Sequence, residues 1–337
     1  MRFGQKVALG LVGGALLAMG TRAWLRRQRR IELAGRVVLI TGASSGLGFL
    51  LAQHAARRGA RLVLVARDED ALRAAEPELL GLGAPEVMIA PADITDPEAV
   101  RGIVDRVIER FGRLDVLINN AALMLVGPAD AMDLDDYRRL MNTNFWGGVY
   151  FTLAALPQMR ARRFGRIGNV ISIGGRVAAP HMLPYTASKH AFAGFTKGLY
   201  PELLRDNIFV TGAYPSTIRT GGHTNAWFKG DQQAEYTWFA ASDTLPLLSG
   251  SADALADRFL ESICDGDPEV PVDFKSRFAT VTEALLPDWM AELNAIVEKD
   301  LLPPAVNLDG PAVQGKDIEG RLPEMFTRMV PDKARPD

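Results

Sequence analysis

Thr41-Gly-Ala-Ser-Ser-Gly-Leu-Gly48 decides the fold. It follows Arg36-Val-Val-Leu-Ile40, a short β-branched apolar run that reads as a buried strand. It precedes Phe49-Leu-Leu-Ala-Gln-His-Ala-Ala56, which reads as a helix. A glycine-rich turn between strand and helix lets the backbone approach a pyrophosphate at the positive end of that helix. Glycines alone often mean only a tight turn, but the strand–turn–helix setting is the one a phosphate cradle requires. Thr41, Gly42, Ser44, Ser45, Gly46, Leu47 and Gly48 are therefore candidate cofactor-binding residues.

Strand and helix signals alternate onward from this point, which argues for an α/β domain with a parallel sheet covered on both faces. Strand candidates are Arg36–Thr41, Arg61–Ala66, Glu86–Ala90, Asp115–Asn119, Arg166–Ser172, Ile208–Tyr214 and Glu269–Val272. Helical stretches between them include Pro97–Phe111, Leu134–Arg162 and Pro184–Arg205. Seven strands in a doubly wound order put Ser44, Asn119, Ser172 and Pro215 at carboxyl ends of strands, the edge where such sheets bind ligands.

Tyr185-Thr-Ala-Ser-Lys189 falls on the last of these helices and sets a phenol and an ammonium one turn apart on one face. A tyrosine hydroxyl normally titrates near ~10 and exchanges protons poorly at neutral pH. A fixed cation beside it favours the phenolate and brings it toward acid/base work. Alone the spacing is common on solvated helices; together with the glycine turn it gains weight.

With both segments in view, the chain resembles the short-chain dehydrogenase/reductase family across roughly residues 33–272. Thr-Gly-x-x-x-Gly-x-Gly is that family's cofactor signature and Tyr-x-x-x-Lys its active-site signature. Ser172, thirteen residues before Tyr185, stands where the family places a substrate-orienting serine. Asn144, in Met141-Asn-Thr-Asn144, stands where it places an asparagine supporting a proton-relay water. Asn119-Asn-Ala-Ala122 resembles the family's Asn-Asn-Ala-Gly, and Asp93 its adenine-side aspartate. The resemblance implies a Rossmann-type fold in which Asn144, Ser172, Tyr185 and Lys189 are catalytic. It also implies that Asn119, Ala121, Pro215, Thr217, Ile218 and Thr220 help to hold the nicotinamide dinucleotide, together with Tyr185 and Lys189. Two positions depart from the family pattern: Ala122 and Ser216 each replace a usual glycine, and neither removes a catalytic group.

The end of the second strand, Leu64-Val-Ala66-Arg67-Asp68, bears on cofactor choice. An acid there would bind a ribose 2′-hydroxyl and repel a 2′-phosphate. Ala66 occupies the deciding position and carries no charge, while Arg67 offers a planar fork for phosphate. NADP(H) is favoured over NAD(H), with a solvated surface Arg67 as the competing reading.

Composition narrows the classes. A net charge of −2 over 337 residues gives no sign of nucleic-acid binding. One cysteine, Cys264, excludes an intramolecular disulfide and a cysteine-based metal cluster, and the four histidines lack metal-ligand spacing, so no metal is expected. At the N-terminus, Val7–Thr21 is uncharged, with Arg2 and Lys6 before it and Arg22, Arg26, Arg27, Arg29 and Arg30 after it. Fifteen helical residues span roughly 22 Å against a hydrocarbon core of ~30 Å. Counting through Leu25 with a snorkelling Arg22 reaches roughly 28 Å. The basic flank favours an uncleaved membrane anchor with the catalytic domain cytoplasmic and the arginines near anionic headgroups. A surface-lying helix and a cleaved signal are the alternatives.

The chain thus divides into an anchor with its basic flank (1–30), one Rossmann-type domain (33–273), a helical extension (274–302) and a loosely ordered tail (303–337). Within the domain, 216–250 carries Trp227, Phe228, Tyr236, Trp238 and Phe239, which suit an apolar substrate lid. A loop packing these aromatics onto the domain or membrane is the plainer reading. The expected reaction is hydride transfer between nicotinamide and a carbonyl or alcohol of a lipophilic substrate such as a steroid-like, retinoid or long-chain keto compound. Homo-oligomerisation is open. The alternatives are a catalytically silent nucleotide-binding scaffold at a membrane, an NAD-dependent enzyme of small polar alcohols, and epimerase or dehydratase chemistry, for which no added acid or base is visible.

Overall fold

The computed structural model of the chain describes residues 20–219, 221–244, 250–270 and 274–318. After a leading helix α1 (residues 20–29), the chain forms β1 (Val37–Thr41), α2 (Gly46–Arg57), β2 (Arg61–Ala66), α3 (Glu69–Gly81), β3 (Val87–Pro91), α4 (Pro97–Phe111) and β4 (Val116–Asn119). Then come β5 (Leu125–Val126), α5 (Leu134–Met141), α6 (Gly147–Arg162), β6 (Gly165–Val170), α7 (Leu183–Leu203) and β7 (Ile208–Ala213). The remainder adds α8 (Gly222–Asn225), β8 (Trp227–Phe228), α9 (Gln232–Thr244), α10 (Ala252–Asp265), α11 (Phe274–Leu285), α12 (Pro287–Asp300) and β9 (Val313–Gln314).

Six strands form a parallel sheet in the order β3-β2-β1-β4-β6-β7. All five residues of β1 are buried, because helices cover both faces. Val38 and Ile40 pack with α2, α3 and α10 on one side, and Val37 and Leu39 with α4 and α6 on the other. The order reverses between β1 and β4, opening a crevice at their carboxyl ends.

The seventh strand expected at Glu269–Val272 does not form among the described residues. Glu269 meets Gly212 in a single bridge, held by Gly212 N to Pro268 O and Val270 N to Gly212 O, both 3.0 Å. Pro268, just before this bridge, has no N–H to extend a ladder, and Pro271 and Val272 lie outside the described residues. The single helix expected over Leu134–Arg162 is interrupted by a π-helical turn at Asn142–Trp146. The segment from Pro303, expected to be loose, is not so through Ile318. β9 joins β5 and β8 in a three-stranded sheet, and Ile318 is buried against Phe228, Tyr236 and Phe239. Residues 319–337 lie outside the described chain.

Residues 1–19, which hold most of the expected membrane anchor, also lie outside it. Among the described residues no helix is long and apolar enough to cross a membrane. The arginines after the apolar run do not stand free. Arg26 and Arg30 bind Asp265 at 2.6 and 2.8 Å, and Arg26 also reaches Asp267 at 3.1 Å. Both carboxylates are buried, so desolvation would be costly without these partners. The buried Arg166 donates to the Arg29 carbonyl at 2.5 Å and stacks 4.4 Å from the Phe209 ring centroid. These contacts fix α1 at the amino-terminal edge of β6 and β7.

Candidate active site

The β1–α2 turn forms because its glycines have no side chain. Gly42 and Gly46 hold φ of +65° and +55°, which L-residues rarely adopt. A Cβ on Gly48 would overlap the Gly42 carbonyl oxygen and stand 2.6 Å from Asn120 Nδ2. Asn120 Nδ2 donates to the Thr41 and Gly42 carbonyls at 2.9 and 3.2 Å, while Thr41 Oγ1 accepts from the Asn120 and Ala121 amides at 2.9 and 3.0 Å. The turn is thereby tied to the end of β4, next to the amino end of α2. Its open amides and the helix dipole suit a pyrophosphate, so the residues present fit a dinucleotide.

From this turn a cavity of about 1790 Å³ runs along the carboxyl edge of the sheet. Single-ligand pockets occupy roughly 300–1,000 Å³, so this one has room for a dinucleotide and a second molecule. Gly42, Ser44, Ser45, Leu47, Gly48, Arg67 and Asp93 line one end. Ala121, Ser172, Tyr185, Lys189, Pro215, Thr217 and Ile218 line its middle, as do Ala122 and Ser216. Asp68 is occupied as the cap of α3, accepting from Ala71 N at 3.0 Å, and among the described residues no carboxylate pairs with Arg67.

Four expected residues stand behind this wall instead of lining it. Thr41 and Gly46 shape the turn. Asn119 is buried, donating to Asn169 Oδ1 at 2.9 Å and Thr152 Oγ1 at 3.3 Å. Asn144, in the π-helical turn, accepts from Leu123 N at 2.7 Å and donates to Leu123 O at 2.9 Å and Ser188 Oγ at 3.0 Å. Its amide is filled by these bonds and fastens the β4–β5 segment to α7. Thr220 lies outside the described residues. Asn120 and Ser188 are the supports that sequence reasoning missed. The doubled asparagine at 119–120 signalled the first, although which of the pair faces the cavity depends on the end of β4.

Tyr185, Lys189 and Ser172 come together. Leu183–Leu203 is helical, so Lys189 sits one turn beyond Tyr185, with its ammonium 5.7 Å from the phenol ring centroid. Lys189 Nζ donates to the Val170 carbonyl at 3.2 Å. Burial pushes the Tyr185 phenol up to about 12, partly opposed by its hydrogen bond with Ser172. Burial also pushes the Lys189 ammonium down to about 7. Desolvation therefore governs the phenol, and the opposing influence is the Ser172 hydrogen bond, not the fixed cation expected from the spacing. Ser172 Oγ accepts from Gly174 N at 3.0 Å, which leaves its hydrogen free to donate.

The same cavity is lined by the apolar Met124, Met182, Trp227, Trp238, Phe239, Val297 and Leu302, alongside polar side chains that include Asp135, Arg138, Arg139 and Asn142. Of the five aromatics of 216–250, Phe228 and Tyr236 are fully buried in a small core, whereas Trp227, Trp238 and Phe239 also face the cavity. A polar clasp braces this lining. His181 Nδ1 lies 2.7 Å from Glu235 Oε1 on α9, its Nε2 lies 3.1 Å from Glu298 Oε2 on α12, and Glu235 Oε2 accepts from Trp238 Nε1 at 2.7 Å. Burial disfavours the imidazolium, but the Glu235 and Glu298 carboxylates prevail and raise its pKa.

Lys189 yields a pH test. Its ordinary pKa is near ~10.4. With the folded value about 7, the folded chain holds fewer protons than the unfolded one between these limits. Stability therefore rises with pH across that window and is withheld below it. In urea unfolding of the cofactor-free protein, wild type should gain on Lys189→Met from pH 7 to 9, approaching roughly 1.4 kcal/mol per pH unit, the one-proton limit. A constant difference between the two proteins would refute the buried, proton-poor lysine.

The chain matches the family model described as short chain dehydrogenase over residues 36–229. It is 40% identical over 219 residues to a dehydrogenase/reductase SDR family protein 7-like of Anopheles gambiae, covering 64% of this chain and 69% of that protein. It is 34% identical over 272 residues to an 11-beta-hydroxysteroid dehydrogenase A of Arachis hypogaea, covering 80% of this chain and 76% of the relative. A crystal structure of a metagenomic short-chain oxidoreductase in complex with NADP superposes with a TM-score of 0.53 at 32% identity, over 56% of this chain and 86% of that one. The glycine turn, the parallel sheet and these matches lead to one assignment: the chain belongs to the short-chain dehydrogenase/reductase family, oxidoreductases that act on CH–OH groups with a nicotinamide dinucleotide.

Proposed function

We propose that the protein is an NADP(H)-preferring ketone reductase or alcohol dehydrogenase of lipophilic substrates. The observation that carries this reading is one cavity lined by Tyr185, Ser172 and Lys189 together with Met124, Met182, Trp227, Trp238 and Phe239. The bound dinucleotide supplies the hydride in reduction and accepts it in oxidation. In reduction, Tyr185 gives its phenolic proton to the carbonyl oxygen, and Ser172 donates a hydrogen bond to the same oxygen. Lys189, held near neutrality by burial, returns a proton toward the phenol. Asn144 positions this set by tying Leu123 to Ser188. Relatives named 11-beta-hydroxysteroid dehydrogenase support a steroid-like substrate.

Tyr185→Phe should keep cofactor affinity and lower turnover of a ketone panel with NADPH by at least the ~10²-fold expected for loss of a general acid. Undiminished turnover would reject Tyr185 as the proton donor.

Arg67 lines the cavity beside the glycine turn, and among the described residues no carboxylate pairs with it. Arg67→Ala should weaken NADP(H) by roughly 1.5–3 kcal/mol, the range for a charge-assisted hydrogen bond, with little change for NAD(H). Calorimetric titration in which the parent protein prefers NAD(H) would overturn the preference.

We further place the protein at a membrane through the uncharged run Val7–Thr21, with its catalytic domain on the cytoplasmic side. It should stay in the membrane fraction after a carbonate wash, with N-terminal sequencing showing the segment before Thr21 retained. Recovery as a soluble chain trimmed near Thr21 would reject the anchor.

A further inference from the structure

Two cations of α5 that catalysis does not use, Arg138 and Arg139, line the cavity. Arg139, in α5, lines the cavity with its guanidinium 4.3 Å from the Trp227 ring centroid. Trp227 packs in the cluster that holds Tyr185, Leu140 and Met182, so this stacking fixes a positive charge on the substrate side of the catalytic phenol. The neighbouring cations are occupied. Arg138, one residue away, pairs with Asp135 at 2.9 Å. Lys229 binds Asp136 and Asp133 at 2.6 and 2.9 Å. Among the described residues, no carboxylate pairs with Arg139. Asp135, Arg138, Asn142 and Thr143 line the cavity beside it, and the same cavity has Met124, Met182, Trp238 and Phe239 on its wall.

A guanidinium 4.3 Å from an indole centroid keeps N–H donors for a ligand, and its planar fork can take a carboxylate with two parallel hydrogen bonds. We propose that Arg139 determines substrate specificity by binding a carboxylate at one end of an apolar substrate whose carbonyl or alcohol reacts at Tyr185. The substrate class is a keto or hydroxy acid with a long or fused apolar body. This deepens the oxidoreductase reading given above and rests on it for the reacting group. Arg139 is exposed to solvent, so its discrimination is modest, on the order of tenfold. The competing account is a solvated arginine resting on a tryptophan, and it foresees no discrimination.

Binding separates the two accounts without turnover. The NADP-loaded protein is titrated calorimetrically with dodecanoate and with dodecan-1-ol, both below their aggregation limits. Dodecanoate should bind about tenfold more tightly. Arg139→Gln should erase that difference, and Arg139→Lys, which keeps the charge without the fork, should retain part of it. Equal affinities in wild type, or a preference that survives in Arg139→Gln, would overturn the proposal. Kinetics form the second arm, using medium-chain oxo acids and their methyl esters with NADPH. The acid-to-ester ratio of kcat/KM should fall about tenfold in Arg139→Gln, through KM. Failure of wild type to reduce any ketone would count against the oxidoreductase reading alone, and the titrations would still decide the role of Arg139.

Discussion

Everything at this site depends on one steric fact: the first turn of α2 lies so close to the end of β1 that no side chain fits between them. A Cβ on Gly48 would overlap the Gly42 carbonyl, and one on Gly42 would stand 2.9 Å from the Ala121 Cα. The glycines thus let β1, the amino end of α2 and the end of β4 share one small volume. Asn120 and Thr41 then lock that approach with four hydrogen bonds. The crevice, its anion-attracting helix end and the long cavity all follow from that closeness.

Burial sets the chemistry at the centre of the cavity. Tyr185 and Lys189 are 7% and 1% exposed. Removal from water shifts phenol and ammonium in opposite directions, and in both cases favours the uncharged form. The phenol thus keeps its proton for donation, with Ser172 bonded to it, and an ammonium near 7 exchanges its own proton readily around neutral pH. Preorganisation comes from residues that touch no substrate, chiefly Asn144 and Ser188, whose bonds hold the loop after β4 against α7.

The parts of this architecture that were legible in the sequence are those written in local patterns. Arg61–Ala66 and Pro97–Phe111 form the strand and helix that their residues suggest, because apolar periodicity and the Asp96–Pro97 start are local signals. Other features depend on contacts between distant segments. A strand at Glu269–Val272 looks plausible from its valines, yet its described part, after Pro268, makes a single bridge to Gly212. The order of residues 303–318 comes from β9 pairing with β8, more than 80 residues earlier, which composition does not encode. Within the site, the residue types were readable and their facing was not. Asn119 turns inward and Asn120 takes the cavity side, and the arginines expected at headgroups meet Asp265 and Asp267. The balance between burial and charge at Tyr185 likewise depends on depth, which spacing does not report.

The docking of α1 has a geometric corollary. Its arginines grip the end of α10 and the starts of β6 and β7, whereas the cavity opens where those strands finish. The leading part of the chain therefore joins the domain at the pole opposite the entrance. The length of the sheet thus separates α1 from the edge that lines the cavity.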